Sequence, residues 1–109
     1  MTGITMLTGA TGFVGRQVLR ALAEKGVRFR VVVRDGKQGQ LATLEGVETV
    51  VTTPELFAEN GDWWADVCKG IDTVIHVAWY AEPGKYLQSV KNLDCLTGTR
   101  NLAKGAAKA

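Results

Sequence analysis

Cysteine is scarce: Cys68 and Cys95 are the two in 109 residues. They share no metal-ligand spacing and fit no disulfide framework, which excludes a zinc module and a cystine-stapled scaffold. Two buried free thiols in a reducing compartment, the cytoplasm, are the expectation. Long apolar runs are also missing, and none approaches the roughly 20 residues of a membrane span. The N-terminus enters a β-type run without the basic region, apolar stretch and cleavage site of a secretory leader. No membrane partner is expected. Internal repeats and low-complexity linkers are absent too, so residues 1–109 read as one small domain with its own core. What is present is an ordinary globular composition, 46% hydrophobic and 22% charged.

Net charge is only +2, yet it is unevenly spread. Residues 1–40 carry seven bases (Arg16, Arg20, Lys25, Arg28, Arg30, Arg34, Lys37) against Glu24 and Asp35, whereas residues 45–72 carry seven acids and one lysine. No aromatics interleave with the bases, so an anionic small ligand suits them better than a nucleic acid. Solvated helix faces and strand ends account for most of them.

The most informative stretch is Thr8-Gly9-Ala10-Thr11-Gly12-Phe13-Val14-Gly15. It follows a β-rich run, Ile4-Thr5-Met6-Leu7, and opens a helical pattern, giving strand, tight turn, helix. Bare backbone N–H groups and the helix dipole at such a junction attract phosphate. Gly9 suits the tight turn, Gly12 the close approach of a pyrophosphate, and Gly15 close packing of helix on strand. A loop that merely turns is the plainer reading, and the strand–helix context argues against it.

The helix that follows shows an apolar stripe of Val14, Val18 and Leu22, joined by Leu19 and Ala23, with Arg16, Gln17, Arg20 and Glu24 outward. Gly26 stops it. Arg28–Arg34 is a second strand whose Val31-Val32-Val33 centre suits burial on both faces. Residues 35–39 form a loop, Leu41–Leu44 one helical turn, and Val47–Val51 a third strand. Asp62–Gly70 reads as a short helix around Trp63 and Trp64, which suit core or interface packing better than a ligand site. Asp72–Ala78 is a fourth, nearly continuous apolar strand. After Pro83-Gly84, Tyr86 to about Lys108 reads as a long helix, with Gly98 marking close packing against another backbone. Strands alternating with helices imply parallel pairing and right-handed crossovers. The fold class is α/β: a Rossmann-like doubly wound parallel sheet of about four strands, order 3-2-1-4.

The end of the second strand sets the cofactor. An acid about 20 positions beyond the glycines would bind the ribose hydroxyls of NAD. Arg34, 19 positions after Gly15, can instead pair bidentately with the 2′-phosphate of NADP. NADP is therefore preferred, and Asp35 keeps NAD open if the turn presents it.

Three ordered segments resemble one family: Thr-Gly-Ala-Thr-Gly-Phe-Val-Gly-Arg at 8–16, Gly-Ile-Asp-Thr-Val-Ile-His-Val-Ala at 70–78 and Leu-Thr-Gly-Thr-Arg-Asn-Leu at 96–102. Together they look like the extended short-chain dehydrogenase/reductase family, and more narrowly like the N-terminal part of an NAD(P)-dependent epimerase/dehydratase, many of which act on nucleotide sugars. The resemblance implies that Gly9, Thr11, Gly12, Phe13 and Val14 surround the pyrophosphate and that Arg34 and Asp35 lie near the adenosine ribose. It implies that Ala78, Trp79 and Tyr80 line the route to the nicotinamide. His76 stands in a signature where histidine is structural. A homodimer through long helices is also implied.

The chain departs from that family in three places. Val51-Thr52-Thr53-Pro54-Glu55 lacks the acid expected straight after the third strand, and Cys95 stands where an asparagine often faces the nicotinamide. The family's catalytic Tyr-x-x-x-Lys pair is missing, since Tyr80 is followed four residues on by Gly84 and Tyr86 by Val90. Lys85 and Lys91 lie five residues after those tyrosines, about 140° around a helix and so on another face. No catalytic and no metal-binding residue is therefore assigned. The expectation is the cofactor-binding segment of a hydride-transferring epimerase, dehydratase or reductase, truncated before its catalytic dyad, fifth strand and substrate domain, and inactive alone. A non-enzymatic NADP(H)-sensing or protein-interaction module of the same fold is the alternative.

Overall fold

Burial decides which strand is central. Thr5, Met6, Leu7 and Thr8 of β1 (Ile4–Thr8) are all buried, as a strand flanked on both sides must be. In the computed structural model β1 pairs in parallel with β2 (Arg28–Arg34) and with β4 (Ile71–His76), and β2 pairs with β3 (Val47–Thr53). The order is β3-β2-β1-β4, as the sequence pattern predicts. The structure describes residues 3–37, 39, 41, 44–78 and 91–109, with 91 and 92 by backbone alone. These residues fall into two compact units, Met1–Pro54 with Gly70–Ala78, and Glu55–Lys69 with Trp79–Ala109.

In the first unit, helix α1 (Phe13–Ala23) packs Leu19 into a core of Leu7, Ala10, Phe29, Val31, Val33 and Leu41, with Val18, Leu22 and Ala23 at its margin. The helix ends as Gly26 predicts: Gly26 N–H reaches Ala23 O at 3.0 Å and Val27 N–H reaches Leu22 O at 3.1 Å, the paired bonds that close a helix at a glycine. Val14 is a correction to the expected stripe. It is 62% exposed, because the first turn of α1 presses Gly15, not Val14, onto the chain leaving β1. β4 is also less apolar in place than its sequence suggests. Asp72 and Thr73 are exposed and the rest half-buried, as fits the edge of the described sheet. Part of the charge asymmetry cancels across neighbouring strands, where Arg28 Nη1 meets Glu48 Oε2 at 2.8 Å.

In the second unit, helix α2 (Gly61–Val67) begins one residue earlier than its sequence suggests, because Asn60 caps it by accepting from Trp63 N–H at 2.8 Å. A single 3₁₀ turn, Leu56–Ala58, is capped by Glu55 accepting from Phe57 N–H at 3.1 Å. The sequence around Pro54 gives no clear sign of it. Helix α3 (Lys91–Lys108) meets both through glycines. A Cβ on Gly98 would lie 2.7 Å from Phe57 O, and one on Gly105 would lie 2.7 Å from both Gly61 O and Ala65 N. The close backbone approach expected at Gly98 is thus observed. Trp64 is fully buried and takes Trp63 edge-on at 4.8 Å, so the tryptophan pair serves packing. Its Nε1 has no hydrogen-bond partner among the described residues. Cys68 and Cys95 are buried thiols and are not joined in a disulfide.

Candidate functional site

Parallel strands bring their C-terminal ends to one edge, where the glycine turn, Arg34, Asp35 and Ala78 lie. Thr8, the last residue of β1, pairs across to Val32 of β2 on one side and to His76 of β4 on the other. The glycine turn therefore leaves β1 between Arg34, two residues past Val32, and Val77-Ala78, just past His76. The region outside the carboxyl ends of the strands is where open α/β folds bind ligands.

The three glycines of the turn do different jobs. Gly9 has φ +77°, and a Cβ there would stand 2.7 Å from Ala78 N, so both the backbone angle and the space demand glycine. Its carbonyl accepts from Gly12 N–H at 3.1 Å, closing the turn over Ala10 and Thr11. At Gly15 a Cβ would overlap the Gly9 carbonyl and lie 2.9 Å from Ala10 Cα, so the helix can dock only with a bare Cα. Gly12 is unlike both. Its φ of −81° suits any residue, and a Cβ would meet only Gly9 O at an ordinary 3.5 Å. The fold does not need that glycine; an incoming ligand would.

Gly12 also supplies the N-cap position of α1 without any side-chain cap, and the first turn holds no acid. The N–H groups there are left to water or to an anion, with the positive end of the helix dipole behind them. Phe13, 72% exposed, and Val14 stand beside this opening. The turn and helix start thus fit a pyrophosphate on their own geometry.

On the β2 side, Arg34 is exposed and enters none of the ion pairs among the described residues. A hydrogen-bonded turn follows it: Lys37 N–H donates to Arg34 O at 3.0 Å across Gly36, whose φ is +91°. The chain at Lys37 therefore folds back onto the Arg34 backbone, bringing a second base of the basic first third into the turn. The linear pattern marks Lys37 only as one of seven bases, with no sign of this turn. Asp35 instead continues the ladder toward β3, its N–H donating to Thr53 O at 3.0 Å.

On the β4 side, Thr8 Oγ1 lies 2.6 Å from His76 Nδ1, 3.1 Å from Val77 N and 3.2 Å from Ala78 N. Burial pushes the His76 pKa down from its ordinary 6.5, so the ring is neutral near pH 7. The reading of His76 as structural fits these contacts. The sequence marks Thr8 only as the residue before the glycine turn; its full burial at the end of the central strand belongs to the fold. Ala78 is half-buried beside Gly9, while Trp79 and Tyr80 lie outside the described residues. Cys95 gives its carbonyl to the Thr99 hydroxyl at 2.7 Å within α3. Among the described residues no group of histidines, cysteines and acids could hold a metal, and no helix is long and apolar enough to cross a membrane.

Comparison with known proteins agrees with this geometry. The model of the NAD dependent epimerase/dehydratase family matches residues 5–109. The ceramide reductase of Caulobacter vibrioides is 38% identical over 76 residues, covering 70% of this chain and 23% of that protein. The dTDP-6-deoxy-L-talose 4-dehydrogenase (NAD(+)) of Aggregatibacter actinomycetemcomitans is 26% identical over 102 residues, covering 89% and 37%. Among solved structures, the crystal structure of gox2253 superposes with a TM-score of 0.74 at 31% identity, covering 97% of this chain and 31% of that one. The arrangement is Rossmann-like α/β, and the chain spans about a quarter to a third of the length of these relatives.

Proposed function

The chain belongs to the NAD-dependent epimerase/dehydratase family, and on that premise we propose that residues 1–109 are the dinucleotide-binding part of a cytoplasmic oxidoreductase that prefers NADP. One observation carries the reading: Gly12 leaves open space at the uncapped start of α1, where neither backbone angle nor packing requires a glycine. Gly9, Thr11, Gly12, Phe13, Val14 and Gly15 would receive the pyrophosphate. Ala78, with Trp79 and Tyr80, would line the path to the nicotinamide. When bound, that ring supplies hydride exchange with a carbon of the substrate. The named dehydrogenase among the relatives supports a nucleotide sugar as that substrate. Proton transfer would fall to a tyrosine–lysine pair carried outside these 109 residues, since neither Tyr80 nor Tyr86 has lysine four positions on.

NADP is favoured because Arg34 is exposed at the end of β2 and the turn that follows brings the Lys37 backbone back to it. A planar guanidinium matches a phosphate monoester, and a lysine in the same turn adds positive charge; a carboxylate would match the free ribose hydroxyls of NAD. The test is titration of the protein and its Arg34→Ser variant with both dinucleotides. The variant is expected to lose about ten- to a hundredfold in NADP affinity, as for a charge-assisted hydrogen-bonded pair, with NAD affinity held within about twofold. Equal losses for both would remove the phosphate role from Arg34. Failure of both dinucleotides to raise the melting temperature at millimolar concentration would remove the dinucleotide reading itself, since a native-state ligand must stabilise by mass action.

A further inference from the structure

We propose that His76 is a positioning residue for the glycine turn, acting through Thr8: its Nδ1 accepts a hydrogen bond from the Thr8 hydroxyl, which leaves the hydroxyl oxygen's lone pairs free to hold the Val77 and Ala78 N–H groups beside Gly9. The assignment of donor and acceptor follows from counting. A hydroxyl offers one proton and two lone pairs. Two N–H groups, at 3.1 and 3.2 Å, occupy the lone pairs of Thr8 Oγ1, so its third close neighbour, His76 Nδ1 at 2.6 Å, accepts the hydroxyl's hydrogen bond. His76 is thereby fixed with its ring proton on Nε2.

The relay ends where the proposed cofactor would pass. Val77 N–H has a second, longer acceptor in Thr8 O at 3.4 Å, whereas Ala78 N–H relies on Oγ1. That same Ala78 N stands against the bare Cα of Gly9. Take away the acceptor at Nδ1 and the hydroxyl proton competes with the two N–H groups for the space around one oxygen. The segment past β4 then loosens from the turn it packs against, and the strand-end surface that the two form together loses its shape. His76 thus acts through another residue: it orients the hydroxyl that holds Val77 and Ala78 against the turn.

The effect on binding rests on the dinucleotide reading, so the experiment has one arm that needs no ligand. Nitrogen-15 spectra of the protein's histidine ring are expected to show the proton on Nε2 and Nδ1 as acceptor; a proton on Nδ1 overturns the proposal. In the second arm, Thr8→Val, which keeps the shape and removes the hydroxyl, and His76→Phe are expected to weaken NADP binding about tenfold. Thr8→Ser, which restores the hydroxyl, is expected to bind within about twofold of the parent. Binding by Thr8→Val equal to the parent, or by Thr8→Ser as poor as Thr8→Val, overturns it. Should the parent bind neither NADP nor NAD, the dinucleotide reading falls by itself and amide hydrogen exchange decides. Faster exchange at Ala78 in Thr8→Val and His76→Phe, with protection kept in Thr8→Ser, supports the relay; unchanged exchange in all three overturns it.

Discussion

Two regions of this protein are built on glycine, and they use it for opposite ends. Where α3 meets α2 and the 3₁₀ turn, Gly98 and Gly105 are seven residues apart, two helical turns, and each has backbone pressed against it. Nothing else could enter those spaces. At the strand-end turn, Gly9 and Gly15 are filled in the same way, by Ala78 and by the turn itself, but Gly12 between them faces open space. A glycine enforced by its neighbours reports packing. A glycine that neither its neighbours nor its backbone angle enforces, at a strand-end turn, leaves room for the proposed ligand. The difference separates a structural seam from the proposed binding site within one residue type.

Alanine substitutions test that comparison most severely. Gly15→Ala and Gly105→Ala each drive a methyl into backbone that cannot step aside, and each should cost about 3 kcal/mol or more in urea unfolding, the upper range for overpacking. Gly12→Ala should cost under about 1 kcal/mol, the ordinary difference between alanine and glycine at a helix cap, yet weaken dinucleotide binding at least about tenfold. Unfolding of Gly12→Ala as severe as that of Gly15→Ala would erase the distinction.

A fall in pH acts on the turn region through His76, with a smaller effect. Its folded pKa is depressed, so the unfolded chain binds the proton first as pH falls below 6.5. The stability tied to the neutral ring is complete above that value and is lost as pH drops from 6.5 toward the folded pKa. Melting temperatures across this range should fall for the parent more than for His76→Phe; parallel curves would show that another group controls the response. The smallest effect belongs to the helix seam. Lys108 Nζ and Asp62 Oδ1 are 3.0 Å apart but well exposed, so Lys108→Ala should change stability by less than about 1 kcal/mol. A larger loss would mean that charge, and not the glycine contacts, holds α3 to α2.

Much of the strand-end region is legible in the linear chain because its signals are local. Alternation of apolar runs with a 3.6-residue stripe marks β1, α1 and β2, Gly26 marks the helix end, and the sheet order follows from parallel crossovers. The 3₁₀ turn is not legible, since a three-residue element has no period to read. Gly98 announces a close contact, but that its partner is the Phe57 backbone depends on how chain segments some 40 residues apart meet. Val14 looks apolar enough for the core, and only the docking of Gly15 on the turn shows that it stays outside. The site divides likewise: Gly9, Gly12 and Arg34 are visible in sequence, while Thr8 and Lys37 become notable through a hydrogen-bonded contact and a backward turn.

What the amino-acid sequence determines by itself is the alternation of elements, the glycine turn between strand and helix, and an arginine at the end of the next strand. These depend on intervals of a few residues, where backbone geometry and side-chain period dominate. The tertiary structure alone decides that Gly12, of the three glycines in the turn, is the one with room beside it, that the chain at Lys37 turns back onto Arg34, and that His76 holds the Thr8 hydroxyl from 68 residues away. Each is a matter of which atoms occupy a given space, and that is fixed only when distant segments pack against one another.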